Sequence, residues 1–276
     1  MPDGKSALLQ DGVHSLPDGK VTRSMRLEGT VAAVDPSGAL ALTLFKEVVV
    51  LWDLRTGQRV RDFPGSLNPQ TQASFSPDGE FFVSAGDRFA RIWEVGTGNC
   101  TQKLKKHETQ TVKARYSPDG KSVVSIAEGD YQLKLWDSSN GSEKLIITMP
   151  GHEGNPEWMD MPHDVAWSRD GKTLIGGSCT LCVYDAATGQ FLIEVDSGGG
   201  SFSAITTHPD GRTCIATVFY MEGEAVSGVF LRTVDLQTGE TGGEVQVEAA
   251  GNLHLTKDSK LVLAEAVDSV EVYKIE

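Results

Sequence analysis

Positive charge is in short supply in this 276-residue sequence: 25 Lys and Arg stand against 38 Asp and Glu, a formal net charge of −13. Nucleic acid and anionic membrane surfaces recruit proteins through Lys and Arg that neutralise phosphate. The single basic run, Lys103-Leu104-Lys105-Lys106, is what one solvated strand end looks like. Neither kind of partner is expected. Long hydrophobic runs are missing as well: no apolar stretch reaches the roughly 18 residues that a membrane-spanning helix needs. No apolar signal segment follows Met1-Pro2-Asp3-Gly4-Lys5. Cysteine is sparse, with residues 100, 179, 182 and 214 only. Without a signal segment, free thiols in a reducing compartment are the expectation, and the location expected is cytoplasmic. No Gly-rich loop with a Lys-Ser/Thr pair follows a strand, and His107-Glu108 and His152-Glu153 lack the second His of a metalloprotease helix.

What the sequence does have is a repeat. Trp52-Asp53, Trp93-Glu94, Trp136-Asp137 and Tyr184-Asp185 each close a short β-branched run, and each aromatic is followed five residues later by Gly57, Gly98, Gly141 or Gly189. Val234-Asp235 with Gly239 keeps the frame, and Tyr273 takes the aromatic place near the C-terminus. These six positions are spaced by 41, 43, 48, 50 and 39 residues. A second marker precedes each. Pro77-Asp78-Gly79, Pro118-Asp119-Gly120 and Pro209-Asp210-Gly211 read as tight turns, in which Pro presets φ and Gly accepts positive φ. Pro36-Ser37-Gly38, Arg169-Asp170-Gly171 and Lys257-Asp258-Ser259 share that frame. Each unit therefore predicts four short strands: a, turn, b, loop, c, turn, d.

A four-stranded unit of about 40 residues with Trp-Asp on its third strand resembles the WD40 repeat. The resemblance runs from Thr30 to the end, and it implies an all-β propeller of four-stranded antiparallel blades, one domain over 1–276. It also implies a polar tetrad per blade, and His107, Ser125, Asp130 and Trp136 match it completely; the second unit offers Ser84, Asp87 and Trp93 without the His. The tetrad reads as a buried hydrogen-bond network that fixes blade shape rather than as a catalytic set.

Residues 1–28 look like a damaged repeat or a closing strand, and 29–276 like regular ones. If residues 5–28 supply strands b, c and d, and the C-terminus supplies a, b and c, the chain holds 26 strands, two short of seven full blades. Seven blades with incomplete ends is the favoured arrangement; six, with the strand near Val21–Leu27 closing the last sheet, stays open. A start inside a repeat suggests part of a longer protein or a truncated gene product.

In such a propeller the d–a and b–c loops share the top face. Both long insertions fall there: Pro150–His163 between the third and fourth full blades, and about Tyr220–Gly228 in the fifth. Aromatic residues and Met on long loops of a rigid scaffold suit partner contact. Trp158, Met159, Met161, His163, Tyr220 and Met221 are therefore the candidate partner-binding residues, with a competing reading in which they fold back and plug the channel mouth. Glu153, Glu157, Asp160, Glu222 and Glu224 in the same loops favour a basic partner. Asp196-Ser197-Gly198-Gly199 resembles a protease nucleophile segment but lacks the preceding Gly and any matching His segment; Cys179 and Cys182 have zinc-like spacing but no second pair. The expected strand-a starts, Thr30, Thr71, Val112, His163 and Ser203, are a thin set for chemistry. The function expected is a non-enzymatic scaffold binding a protein or peptide on its top face, without cofactor or metal, as a monomer or within a larger assembly. The alternative is a sensory or structural propeller domain of a larger protein, and after it a propeller enzyme with a channel-mouth site.

Overall fold

The computed structural model describes residues 1, 5–16, 18, 20–64, 72–86, 88–104, 107–127, 129–149, 162–222, 225–248, 253–255, 261–265 and 270–274. Among them are 26 strands and no helix. The strands fall into seven antiparallel sheets. Three strands, β1 (Ser6–Leu9), β2 (Gly12–Ser15) and β3 (Val21–Ser24), make the first. Five four-stranded sheets follow in sequence order. They are β4 (Thr30–Val34) to β7 (Gln58–Pro64), β8 (Ala73–Phe75) to β11 (Cys100–Lys103), β12 (Thr111–Tyr116) to β15 (Glu143–Thr148), β16 (Asp164–Trp167) to β19 (Phe191–Asp196), and β20 (Ser201–Thr207) to β23 (Thr241–Val247). The last sheet, β24 (Leu253–Leu255), β25 (Leu261–Glu265) and β26 (Val270–Lys274), has three strands again. The damaged first repeat thus supplies a sheet of its own, and both end sheets are one strand short. The chain forms two compact units, 1–127 with 135–144, and 128–134 with 145–276.

The repeat frame has a physical counterpart in the register. The frame residue on strand c pairs with the residue seven positions on in strand d: Trp52 with Arg59, Trp93 with Cys100, Tyr184 with Phe191 and Val234 with Thr241. His14 with Val21 obeys the same rule in the first sheet, which marks it as the same unit. In all five a β-bulge sits beside the frame residue, inserting one extra residue and re-aiming side chains. The turns are equally regular. In Ser76-Pro77-Asp78-Gly79 the Ser76 hydroxyl donates to Asp78 at 2.5 Å, the Glu80 N–H donates to Asp78 at 2.9 Å, and the Gly79 N–H donates to the Ser76 carbonyl. Gly79 sits at φ +74°, where a Cβ would be strained. Asp35-Pro36-Ser37-Gly38 makes the same turn with acid and hydroxyl exchanged: Asp35 accepts from the Leu40 N–H at 2.6 Å and from the Ser37 hydroxyl. The acid after the frame aromatic caps the c–d turn, as where Asp185 accepts from the Ala187 and Thr188 amides at 3.1 and 2.8 Å.

The core lies between successive sheets. In the first unit, Phe63, Phe82 and Trp93 interlock between β4–β7 and β8–β11, with Phe63 edge-on to Phe82 at 4.7 Å. In the second, Phe202, Ile205, Val218 and Val234 meet Ile175, Leu181 and Val183. Asp164, fully buried, ties those same two sheets: its carboxylate accepts from its neighbour Val165 N–H and from the Ile205 N–H, both at 2.8 Å.

Candidate functional site

The tetrad residues come first, because they show what is structural. Trp136 donates its indole N–H to the Ser125 hydroxyl at 2.8 Å, and His107 Nε2 lies 2.7 Å from the same hydroxyl. All three are buried. Asp130 accepts from the Gln132 N–H at 3.2 Å and has Lys134 Nζ at 3.6 Å, a pair almost wholly enclosed. In the two preceding sheets Trp52 donates to Thr43 at 2.9 Å and Trp93 to Ser84 at 3.0 Å. Asp87, the expected third partner of Ser84 and Trp93, lies outside the described residues.

The next two sheets depart from this. Strand register puts Gly176 and Ala216 where Thr43 and Ser84 stand, each opposite the residue two before the frame position. A Cβ on Gly176 would approach Met149 Sδ at 3.1 Å, so Met149 occupies the space of the missing hydroxyl side chain. Tyr184 replaces Trp there. Its hydroxyl is buried and makes no hydrogen bond among the described residues; the Cys182 thiol on the same face is too weak an acceptor to substitute. Burial pushes the Tyr184 phenol well above its ordinary pKa, and the neighbouring Cys182 pushes it the same way.

Of the residues expected to bind a partner, Trp158, Met159 and Met161 lie outside the described residues. His163 is half-buried, its ring edge-on to Phe219 at 5.8 Å. The end of the first insertion and the base of the second therefore meet. The second insertion is not a loop over its whole length. Tyr220 and Met221 belong to β21 (Thr213–Glu222), and residues 225–228 to β22 (Ala225–Asp235), with Tyr220 paired to Gly228 and Met221 to Val226. These strands have ten and eleven residues, where strands b and c of the four other four-stranded sheets have five or six. At about 3.3 Å per residue the hairpin runs roughly 13 Å past the end of a six-residue strand. At its described tip Glu222 and residues 225–227 are exposed, and Val226 is 56% exposed.

Tyr220 is held fast at the base of that hairpin. Its hydroxyl donates to the Ser197 carbonyl at 3.0 Å and accepts from Arg232 Nη2 at 2.7 Å. Arg232 also donates to Glu244 through Nε at 2.8 Å and to the Asp196 carbonyl at 3.2 Å, while the Tyr220 ring packs edge-on against Phe230 at 5.6 Å. Arg232 is buried with this set of acceptors, as a buried guanidinium must be. Sequence reasoning missed this network, because Arg232 and Glu244 sit on strands and show no motif.

The catalytic look-alikes are ordinary structure. Ser197 is buried and donates to the Gly200 carbonyl at 2.6 Å, while Asp196 accepts from the Gly198 N–H at 2.9 Å, a turn cap. Cys179 is half-buried and Cys182 fully buried, neither of them in a disulfide, and burial raises the Cys182 pKa. No group of three His, Cys, Asp or Glu able to hold a metal ion occurs among the described residues, and no helix there is long and apolar enough to cross a membrane.

The WD domain, G-beta repeat family model matches residues 57–94, 98–137 and 143–185. Each match ends on the acid after a frame aromatic, at Glu94, Asp137 and Asp185. Residues 57–185 hold three WD40 repeats. No curated protein matches the chain. Its fold class is the all-β, WD40-like propeller built of four-stranded antiparallel blades. WD40 propellers generally serve as scaffolds for protein partners, and the fold is typically non-enzymatic. Sheets β4–β7 and β20–β23 carry the same register as the matched repeats, although the matches begin at Gly57 and end at Asp185.

Proposed function

We propose that this WD40-repeat chain is a non-enzymatic interaction scaffold that takes a protein or peptide partner on the face carrying the 150–163 insertion and the β21–β22 hairpin. The observation that supports this best is the hairpin itself. It is nearly twice as long as its counterparts, it is braced at its base by Tyr220 and Arg232, and it holds an apolar side chain, Val226, out in solvent. A stiff arm with an exposed apolar tip costs little to order on binding. The bracing changes which residues are expected to touch the partner. Met221, Glu222 and Val226 at the tip, together with Trp158, Met159, Met161 and His163 of the first insertion, are the contact set, and Tyr220 is the support that holds the tip in place. The net charge of −13 and the acidic residues of both segments suit a basic partner surface. Four cysteines outside any disulfide suit a reducing, cytoplasmic setting.

The test is affinity capture with the full chain and two variants. One carries Met221→Ser, Glu222→Lys and Val226→Ser; the other carries Trp158→Ala, Met159→Ala and Met161→Ala. Because the hairpin-tip substitutions fall on the surface, the first variant should melt within about 0.5 kcal/mol of the parent. Proteins held by the parent and released by both variants are the expected result. Identical capture by parent and variants would refute the assignment of this face.

A further inference from the structure

We propose that the outer edge of the Tyr184 sheet is a second docking site, for an extended peptide segment that brings an arginine beside an apolar side chain. It is independent of the hairpin.

Strand β19 is the terminal strand of its sheet, so its outer backbone edge has no strand partner among the described residues. Such an edge is a template for an added strand. Its bulge, which four other sheets share, decides which side chains it presents. Tyr184 pairs with Phe191 and Val183 with Ile193, so Leu192 is the extra residue. Skipping Leu192 puts Phe191 and Glu194, three apart in sequence, on one face of the sheet with Cys182 and Tyr184. That face opens into a cleft of about 360 Å³, lined by Tyr184, Phe191, Glu194, Ile146 and Ile147. Phe191 and Leu192 are 45% and 44% exposed, which leaves apolar surface at the rim. Tyr184 lines the cleft as well, with its hydroxyl buried beside the weakly bonding Cys182 thiol.

Two other sheets carry an acid at the same register position, whereas β11 has Lys103 there, opposite Arg91. Glu194 pairs with the residue two before the frame aromatic, and so do Asp62 in β7 and Glu244 in β23. Asp62 is held by Arg59 at 2.6 Å, and Arg59 occupies the position that Phe191 has in β19. Glu244 is held by Arg232 at 2.8 Å. Glu194 has no cation among the described residues. Two of these three acids are satisfied by an arginine of the chain, and in the third the arginine has become a phenylalanine that lines a cleft. The complementary occupant is therefore a guanidinium from outside, carried on a strand that pairs with β19 and sets an apolar side chain against Phe191.

The probe is a random heptapeptide display library panned on the immobilised full chain, with Phe191→Arg and Glu194→Lys variants as counter-selections. Phe191→Arg rebuilds the Arg59–Asp62 pair in place and should occupy Glu194 from within. Both positions are exposed, so each variant should keep the parent melting curve, which is measured alongside. Expected are peptides with an arginine near an aliphatic residue that bind the parent, bind either variant roughly tenfold more weakly or worse, and slow amide exchange in β19. Recovered peptides indifferent to both substitutions would overturn the proposal, as would none recovered after repeated rounds. Peptides sensitive only to the hairpin-tip substitutions would overturn it while leaving the first docking face standing.

Discussion

The Trp136 and Tyr184 sheets share their turns and frame positions, and they differ in how the frame aromatic is satisfied. In the first, one hydroxyl, Ser125, takes the indole N–H of Trp136 and lies 2.7 Å from His107. In the second, the hydroxyl is gone, Gly176 leaves its space to Met149, and the buried tyrosine oxygen has only the Cys182 thiol beside it. The repeat is thus two separable devices. The turns and their glycines fix where strands begin and end. The aromatic and its acceptor hold the strands of a sheet to one another. A sheet can surrender the second device and keep the first, as Met149 shows by filling the space of the missing hydroxyl.

The largest expected effect breaks the Trp136 sheet. Trp136 is 1% exposed and packs among Val83, Ile92, Leu104 and Val123. Trp136→Ala removes that volume and one of the two bonds to the Ser125 hydroxyl, at a cost of about 3–5 kcal/mol. Equilibrium denaturation measures it, and a loss below about 1 kcal/mol would show that the site collapses to fill the gap.

A paired experiment of intermediate size sharpens the contrast, because a single oxygen is removed from each sheet with opposite expected sign. Ser125→Ala leaves the Trp136 N–H and one His107 nitrogen without their shared partner, so stability should fall by about 1–3 kcal/mol. Tyr184→Phe deletes a buried hydroxyl whose one polar neighbour is the weakly bonding Cys182 thiol, so stability should hold or rise by about 1 kcal/mol. Peptide capture at the β19 edge should weaken in the same variant, the familiar conflict between a stable site and a working one. If both substitutions destabilise equally, the Tyr184 hydroxyl has a role in the fold after all.

Much of this contrast was legible in the sequence, and the parts that were not have a common reason. The Pro-Asp-Gly turns and the spacing from aromatic to Gly are local, dictated by positive φ and by side chains capping their own turns, so they fixed the 26 strands and both incomplete end sheets. The tetrad at His107, Ser125 and Trp136 could be named because its members recur at set offsets. Glu222-Gly223-Glu224 suggested a loop beginning at Tyr220, but the ladder continues through Tyr220 and Met221, since the partner strand, not the local polarity, decides where pairing ends. For the same reason Tyr220 looked like a free contact residue and is instead clamped by Arg232 and Ser197. The solitude of Glu194 depends on the bulge at Leu192 and on the fate of Asp62 two repeats earlier. Neither is a property of the residue or its neighbours in sequence.

The smallest effect tests what the two sheets share. Asp137 accepts from the Ser139 hydroxyl and N–H, and these bonds lower its pKa to about 2. The Thr188 hydroxyl and amide depress the Asp185 carboxyl in the same way. A carboxyl whose folded pKa lies below its unfolded value, about 3.9 for Asp, stabilises the fold above that value and loses the contribution as pH falls through the folded pKa. Melting temperature should therefore drop from about pH 5 downward. Asp137→Asn and Asp185→Asn should each flatten that descent by a similar small amount while changing little at pH 7, because the amide oxygen can still cap the turn. Both carboxylates are largely solvated, so each step is small and thermal melts at closely spaced pH values are needed to read it. A flattening in the Trp136 sheet without one in the Tyr184 sheet would mean that the turns, too, have diverged, and that the latter sheet has lost more than its hydroxyl.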